Sequence, residues 1–207
     1  MKLIRFFLKP LVFAAALVPA AWLVKGAFTN DLGANPIEEI THQTGLWTLR
    51  FLMITLAVTP LRRITGWHAV IRFRRMLGLF AFFYVCLHFS TYIVLDHFFN
   101  FDAILADIAK RPYVTIGFAG FVMLVPLALT STAGMIRRLG RKWQRLHQLI
   151  YVAAFCGVLH YLWLVKADLR DPRAYSVILA ALLGFRVYAL LRKVLDSNAV
   201  SVRAPAR

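Results

Sequence analysis

Residues 147–165 read HQLIYVAAFCGVLHYLWLV, an apolar run with one histidine at its start and a second, His160, inside it. No Asp, Glu, Lys or Arg interrupts these residues. An uncharged apolar run of this length is typical of a transmembrane helix. An ionisable side chain is costly at bilayer depth, so a histidine placed there indicates a functional position. The run therefore predicts a membrane-spanning helix that carries a functional imidazole.

Five further apolar stretches extend this interpretation to the whole chain. The six predicted transmembrane segments are residues 8–28, 46–60, 76–95, 113–130, 149–165 and 175–191. Hydrophobic residues make up 60% of the 207 residues and charged residues only 16%, against roughly 25% charged residues in soluble domains. We therefore expect an all-α integral membrane bundle of six transmembrane helices, formed by residues 1–195 and followed by a disordered cytoplasmic tail over residues 196–207.

The first segment has a basic start and a small-residue site, as a secretory signal peptide does. Its apolar run is longer than the core of a signal peptide, so we expect a retained membrane anchor.

Charged residues divide unequally between the two sides of the predicted bundle. Most of the 25 basic residues fall on the side that holds both termini, whereas every acidic residue except Asp196 falls on the opposite side. The positive-inside rule then places both termini in the cytoplasm. The net charge of +16 is explained by short loops that meet anionic lipid headgroups, and it does not indicate nucleic-acid binding.

Two histidines are predicted to meet near the outer side of the membrane. At 1.5 Å per residue, His88 lies about 18 Å along the third segment, and His160 lies about 20 Å beyond His147. The third and fifth segments run in the same direction, so His88 and His160 reach similar depth. Neutral imidazole is an axial ligand of haem iron, and facing helices of a bundle can supply two such ligands. The pair predicts a b-type haem, and His147 is the candidate ligand of a second one. No CxxCH motif for covalent haem attachment occurs.

The two histidines of the fifth segment pose a geometric problem. Thirteen residues at 100° per residue leave His147 and His160 about 140° apart around an ideal helix. We expect helix tilt or a local distortion, near Gly157, to turn both towards the interior.

Other polar residues in or near the segments receive simpler interpretations. The remaining histidines fall in loops or at segment ends, where we expect solvated or interfacial roles: His42, His68 and His97. Two arginines lie within apolar segments, Arg50 and Arg186, and are expected to reach the headgroups or to pair with a cofactor carboxylate.

A set of motifs is spread along the chain. They are IRFRRMLGL (71–79), LHF (87–89), RPY (111–113), LTST (129–132), KWQRLH (142–147) and HYLW (160–163). Together they resemble the MsrQ family of haem-binding membrane subunits, over essentially the whole chain. The resemblance implies one or two haems b, an associated FMN and a location in the bacterial inner membrane. It also implies electrons drawn from the quinone pool or a cytosolic flavin reductase, and a periplasmic molybdopterin-dependent methionine sulfoxide reductase subunit as acceptor. The chain would then be an electron-transfer subunit rather than the catalytic one.

The chain is more distantly similar to the membrane domain of ferric reductases and NADPH oxidases, whose third and fifth helices carry paired haem ligands. That similarity pairs His88 with His160 and places Arg74 opposite His147, where those proteins have histidine. A guanidinium stays protonated and offers no lone pair. We therefore expect Arg74 to bind a haem propionate or a flavin phosphate, with Arg75 and Arg145 as further candidates for anion contacts.

Two other functions stay open at this point. A quinol-oxidising cytochrome b that serves a different periplasmic enzyme would share all these features. A small proton-coupled transporter would use the histidines as a relay, but the acids that such a relay needs lie mainly in the loops. The chain has no GxGxxG or P-loop motif, so we do not expect it to take hydride from NAD(P)H by itself.

Overall fold

The protein is a bundle of long helices. The computed structural model describes residues 4–203, except for the side chains of Arg5 and of residues 197–203. Within this range there is no strand, and six helices are long and apolar enough to span a membrane. The predicted all-α bundle of six spans is confirmed. The helices are α1 (Lys9–Thr29), α2 (Pro36–Thr65), α3 (Arg74–Thr91), α4 (Phe101–Lys110), α5 (Pro112–Leu129), α6 (Ala133–Leu139), α7 (Arg141–Leu146), α8 (Leu149–Leu164) and α9 (Arg170–Arg203).

The second span is much longer than the predicted residues 46–60. The Asn35 side chain accepts a hydrogen bond from the Glu38 backbone N–H, and Pro36 occupies the first helical position. Glu38 and Glu39 lie in the first turn, where carboxylates are favourable against the helix dipole. These capping residues start α2 at Pro36, ten positions before the apolar run begins.

The last helix continues beyond the predicted domain boundary at residue 195, because α9 ends at Arg203. The division into a domain over residues 1–195 and a tail over residues 196–207 stays a prediction, and residues 204–207 lie outside the described part of the chain.

Two helix pairs form the centre of the bundle. α2 packs along α3, α5 packs along α8, and α9 covers α2 and α8. Aromatic stacking joins the first pair, with the Phe51 ring 5.4 Å from Tyr84 and 5.6 Å from Phe80 between centroids. We call the end with the acidic loops the outer end, and the end with the basic loops the inner end. The first and sixth spans bury least of their surface within the protein, which is expected of helices that face lipid.

Pro60 inside the second span frees a backbone carbonyl, and a side chain from another helix satisfies it. Pro60 in α2 has no N–H, so the Leu56 carbonyl lacks its partner within the helix. Arg186 of α9 donates to that carbonyl through Nη2 at 3.1 Å and to the Tyr151 hydroxyl through Nη1 at 2.6 Å. Such compensation by neighbouring helices is how membrane helices tolerate proline. Arg186 is therefore bonded inside the bundle, and the expectation that it reaches the headgroups is wrong.

A side chain of α3 fixes α1 on the neighbouring turn. The hydroxyl of fully buried Tyr84 donates to the Ala16 carbonyl at 2.8 Å and accepts from the Ala20 N–H at 3.1 Å. These two backbone groups are one helical turn apart. Tyr84 thus bonds both ends of this turn and holds α1 against α3.

The fifth span is broken near its inner end. α7 ends at Leu146 and α8 begins at Leu149, so His147 and Gln148 form a turn between two helices. This turn removes the 140° conflict between His147 and His160. The distortion lies there and not near Gly157, which is inside the regular helix α8.

Candidate functional site

The outer half of the bundle contains a cavity in which two of the predicted histidines face each other. His88 of α3 and His160 of α8 have ring centroids 6.2 Å apart, with the ring planes at 74°. Both line a cavity of about 850 Å³ that is walled by α2, α3, α5 and α8. The structure thus brings together the two residues that helical rise placed at equal depth.

Each of these imidazoles is anchored through the same ring nitrogen. His88 Nδ1 lies 2.9 Å from the Thr41 carbonyl oxygen, and His160 Nδ1 lies 2.7 Å from the Tyr113 carbonyl oxygen. A carbonyl oxygen only accepts, so each Nδ1 carries the proton and each Nε2 keeps its lone pair. Histidine ligands of metals almost always donate their second N–H to such a group. Both rings are therefore prepared to bind a metal through Nε2.

The spacing of the two rings fits axial ligands on one iron. A transition metal lies about 2 Å from a ligating imidazole nitrogen, taking the value known for zinc, and the ring centre lies about 1 Å further back. Two such rings on opposite sides of one metal have centres about 6 Å apart, close to the 6.2 Å observed. The cavity volume also falls in the range of roughly 300–1,000 Å³ that is usual for cofactor sites. A haem fits this site.

Residues 4–203 contain no cluster of three or more His, Cys, Asp or Glu side chains that could hold a metal ion by itself.

The mouth of the outer cavity carries a polar network. Asp107 of α4 accepts from Arg111 Nε at 2.7 Å and from the Tyr92 hydroxyl at 3.0 Å. His97 Nε2 lies 3.8 Å from the same carboxylate. His97 thus occupies the loop position that was expected, but it belongs to a network at the cavity entrance.

Besides His88, His160 and His97, a fourth histidine lines the outer cavity, and the sequence did not indicate it. His42 lies in the second turn of α2, and its ring centroid is 6.2 Å from that of Tyr161. The sequence predicts a loop or segment-end position for His42, because the apolar run of the second segment begins at residue 46. The signal that would have placed it is the helix cap at Asn35 and Pro36.

The inner half of the bundle contains a second cavity, of about 510 Å³. Its described lining includes no Asp or Glu. The residues that bear on its chemistry are Thr55, Arg74, Arg75, Trp143, Gln144, His147, Gln148 and Tyr151. Arg74 and Arg75 were predicted anion contacts, and both line it. Arg145 is exposed and is not part of this lining, so its predicted role has no support from the cavity.

His147 is held differently from the outer pair. Its Nε2 lies 3.1 Å from Thr130 Oγ1, and that hydroxyl donates to the Pro126 carbonyl at 2.6 Å. The hydroxyl has a single hydrogen, so His147 Nε2 acts as the donor and Nδ1 carries the lone pair. The ring also stacks on Trp143 at 3.9 Å between centroids. His147 therefore presents the opposite tautomer to His88 and His160.

The two cavities meet in the middle of the bundle. Leu124 of α5 lines both of them. Phe82 lines the inner cavity and Phe121 the outer one, and their rings are nearly parallel with centroids 6.4 Å apart. A single side chain separates the two sites at Leu124, and a stacked pair of rings separates them at Phe82 and Phe121.

These features first define a class: a multi-pass helical membrane protein whose third and fifth spans face each other through histidines. Residues 44–158, more than half of the chain, match the family described as "Ferric reductase like transmembrane component". The chain is similar to proteins named "Protein-methionine-sulfoxide reductase heme-binding subunit MsrQ". The one from Herminiimonas arsenicoxydans is 51% identical over 203 residues, which covers 97% of this chain and 93% of the relative.

A second such protein, from Xanthomonas euvesicatoria pv. vesicatoria (strain 85-10), is 54% identical over 189 residues, covering 88% of this chain and 87% of the relative. The one from Azospira oryzae is 51% identical over 187 residues, with 89% and 80% covered. No solved structure matches the chain. The chain belongs to the MsrQ family, and the resemblance inferred from its motifs is confirmed.

Proposed function

We propose that this chain is the haem-binding, electron-transferring membrane subunit of a protein-methionine-sulfoxide reductase system in a bacterial inner membrane. His88 and His160 ligate an outer haem b through their Nε2 atoms. The observation that carries the proposal is the pair of Nδ1-anchored imidazoles 6.2 Å apart in an 850 Å³ cavity. The printed names of the relatives, which describe haem-binding subunits, support it.

When bound, the haem supplies a one-electron carrier within the membrane. The contribution of the chain is to fix its position and surroundings. The carbonyls of Thr41 and Tyr113 orient the two imidazoles, which limits the rearrangement that accompanies a change of charge. Apolar side chains make up most of the cavity wall and exclude water.

The inner cavity suits an anionic aromatic group. Arg74 and Arg75 supply positive charge with no carboxylate in the described lining, and the aromatic faces of Trp143 and Tyr151 can pack on a planar ring. In this proposal the cavity holds the phosphate-bearing FMN or the propionates of a second haem, with His147 beside it. Electrons enter here from the quinone pool or from a cytosolic flavin reductase. They leave at the outer end to a periplasmic molybdopterin-dependent subunit that reduces methionine sulfoxide.

The first test is spectroscopic. The purified protein should show the absorption and low-spin paramagnetic resonance signals of bis-histidine haem b. His88→Ala and His160→Ala should each abolish that signal, because each removes one of the two residues that would hold the haem iron. His68→Ala is the matched control, since His68 is exposed on the short helical segment between α2 and α3. An unchanged signal in either ligand variant would refute the assignment.

A second test separates one haem from two and identifies the donor. Haem content per chain should fall in His147→Ala if His147 ligates an inner haem, and should stay constant if the inner cavity holds FMN alone. Reduction of the outer haem by a quinol and by a flavin reductase with NADH should be timed in parallel. If neither donor reduces it, the electron-transfer role is wrong.

A further inference from the structure

The two halves of the outer site are built from one repeated arrangement. The carbonyl that binds each histidine lies 47 residues before it, at Thr41 for His88 and at Tyr113 for His160. We call each carbonyl, its histidine and the helix pair that carries them a unit, and the carbonyl and histidine positions of the first unit map onto those of the second by an offset of 72 residues. The helix pair α2–α3 and the helix pair α5–α8 therefore present their histidines in the same way.

Each unit contains a glycine one helical turn after the carbonyl, at Gly45 and Gly117. A Cβ atom at Gly117 would lie 2.7 Å from His160 Nδ1 and 3.0 Å from its Cγ. A Cβ atom at Gly45 would lie 3.1 Å from His88 Cε1 and 3.2 Å from its Nδ1. Each imidazole thus lies directly against the backbone of the neighbouring helix, in space that any side chain would fill.

These glycines differ from glycines that serve helix packing. Small residues often let membrane helices approach closely, and Gly120 does so, since a Cβ there would meet Cys156 Cβ and the Ala153 carbonyl oxygen. At Gly45 and Gly117 the three nearest atoms all belong to the histidine ring. Glycine within a helix costs about 1 kcal/mol relative to alanine, so its use at both equivalent positions needs a local reason.

We propose that Gly45 and Gly117 are positioning residues for the two haem ligands. Each glycine leaves the space in which the imidazole lies, so that the carbonyl one turn earlier binds Nδ1 and Nε2 points into the cavity. The inference rests on the proposed haem site, because it explains how that site holds its two ligands at iron-binding separation. The smaller distance at Gly117 makes it the more sensitive position, since the atom in conflict is the one that bonds Tyr113.

The test uses single alanine variants with glycine controls. Gly117→Ala should lose the low-spin haem signal or shift the midpoint potential of the haem, and Gly45→Ala should show a smaller change in the same direction. Gly134→Ala and Gly184→Ala are the controls, because a Cβ at either position meets nothing within 4 Å. Both controls should keep the parent signal and potential. A Gly117→Ala protein with parent spectrum and potential would overturn the inference.

A second experiment keeps the inference testable when the Gly117→Ala variant folds poorly. In a His160→Ala background the ring is gone, so adding Gly117→Ala should cost no further folding stability. If the alanine is as damaging there as in the parent, Gly117 serves helix packing and the inference is wrong. An unchanged haem signal in His160→Ala would instead refute the proposed haem site, so the two failures are distinguishable.

Discussion

Replacing Arg186 by methionine should cost more folding stability in the parent protein than in a Pro60→Ala background. Arg186 donates to the carbonyl of Leu56, which Pro60 leaves without a partner inside α2. In Pro60→Ala the new N–H can bond that carbonyl directly, and the guanidinium is then no longer needed there. The two substitutions are therefore coupled.

The magnitude follows from two opposing terms. A hydrogen bond from a charged group contributes about 1.5–3 kcal/mol, and Arg186 makes two such bonds. Removing a guanidinium from partly buried surroundings relieves a desolvation cost of several kcal/mol, and its Nε atom is buried with no partner among the described residues. The single variant mixes these terms, but the coupling isolates the bond to the carbonyl. Interhelical hydrogen bonds in membrane proteins average about 0.6 and reach about 1.7 kcal/mol in double-mutant cycles. We expect about 1 kcal/mol here.

The assay is equilibrium unfolding by sodium dodecyl sulfate in mixed micelles, applied to the parent, Arg186→Met, Pro60→Ala and the double variant. Arg192→Met is the control, because Arg192 is exposed on the same helix. Additive effects of the two substitutions, within about 0.3–0.5 kcal/mol, would show that Arg186 does not compensate for the proline.

Three further outcomes follow from single contacts. Tyr84→Phe removes the hydroxyl that bridges two backbone groups of α1 and should lower the unfolding free energy by about 1 kcal/mol in the same titration. Tyr188→Phe, on an exposed site of α9, is the control and should leave it unchanged. Equal unfolding free energies for the two variants would contradict the bridge. Thr130→Val removes the hydrogen-bond acceptor of His147 Nε2. It should alter the rate at which a donor reduces the haem and leave the low-spin signal of the haem unchanged. An unaltered rate would place His147 outside the electron path. Alkaline phosphatase fused after residue 207 should be inactive, and the same fusion in the loop between α8 and α9 should be active; the reverse pattern would overturn the predicted cytoplasmic termini.

Hydropathy predicted the number of spans because each needs a long apolar run in lipid. It misplaced the start of α2, because the first ten residues of that helix contain charged and polar side chains such as Glu38, Glu39 and His42. Glu38 and His42 line the outer cavity, so this part of the helix does not need an apolar surface. A local signal was present in the cap formed by Asn35 and Pro36, but a search for apolar runs does not detect it.

Counting residues along a helix placed His88 and His160 at one depth, because helical rise is nearly constant. Their acceptors were not predictable from sequence, since a backbone carbonyl has no residue signature and is selected by how two helices pack. The same limit applies to His147. The 140° calculation assumed one ideal helix, whereas the chain turns at His147 and Gln148 with neither proline nor glycine there. The contact that accompanies the turn is tertiary, from Trp143 Nε1 to the Thr130 carbonyl at 3.0 Å.

The repeat that builds the outer site fails at the inner end, and this difference has a measurable consequence. The offset of 72 residues maps His147 onto Arg75, and a guanidinium offers no lone pair to a metal. In the proposed function the outer end would hold its cofactor by two coordinate bonds inside the bundle, whereas the inner end offers cations, with Arg74 half-buried and Arg75 exposed.

At 0.1 M ionic strength the screening length is about 10 Å, so added salt weakens the attraction between exposed charges. Coordinate bonds to a metal are affected far less. Washing the purified protein in increasing salt should therefore release an anionic inner cofactor, detected as free flavin fluorescence, while haem content stays constant. Arg75→Gln should lower the salt concentration needed, and Arg145→Gln, which changes an exposed arginine outside the cavity lining, should not. If haem and flavin leave together, or if Arg145→Gln acts as strongly as Arg75→Gln, charge in the inner cavity does not hold the cofactor.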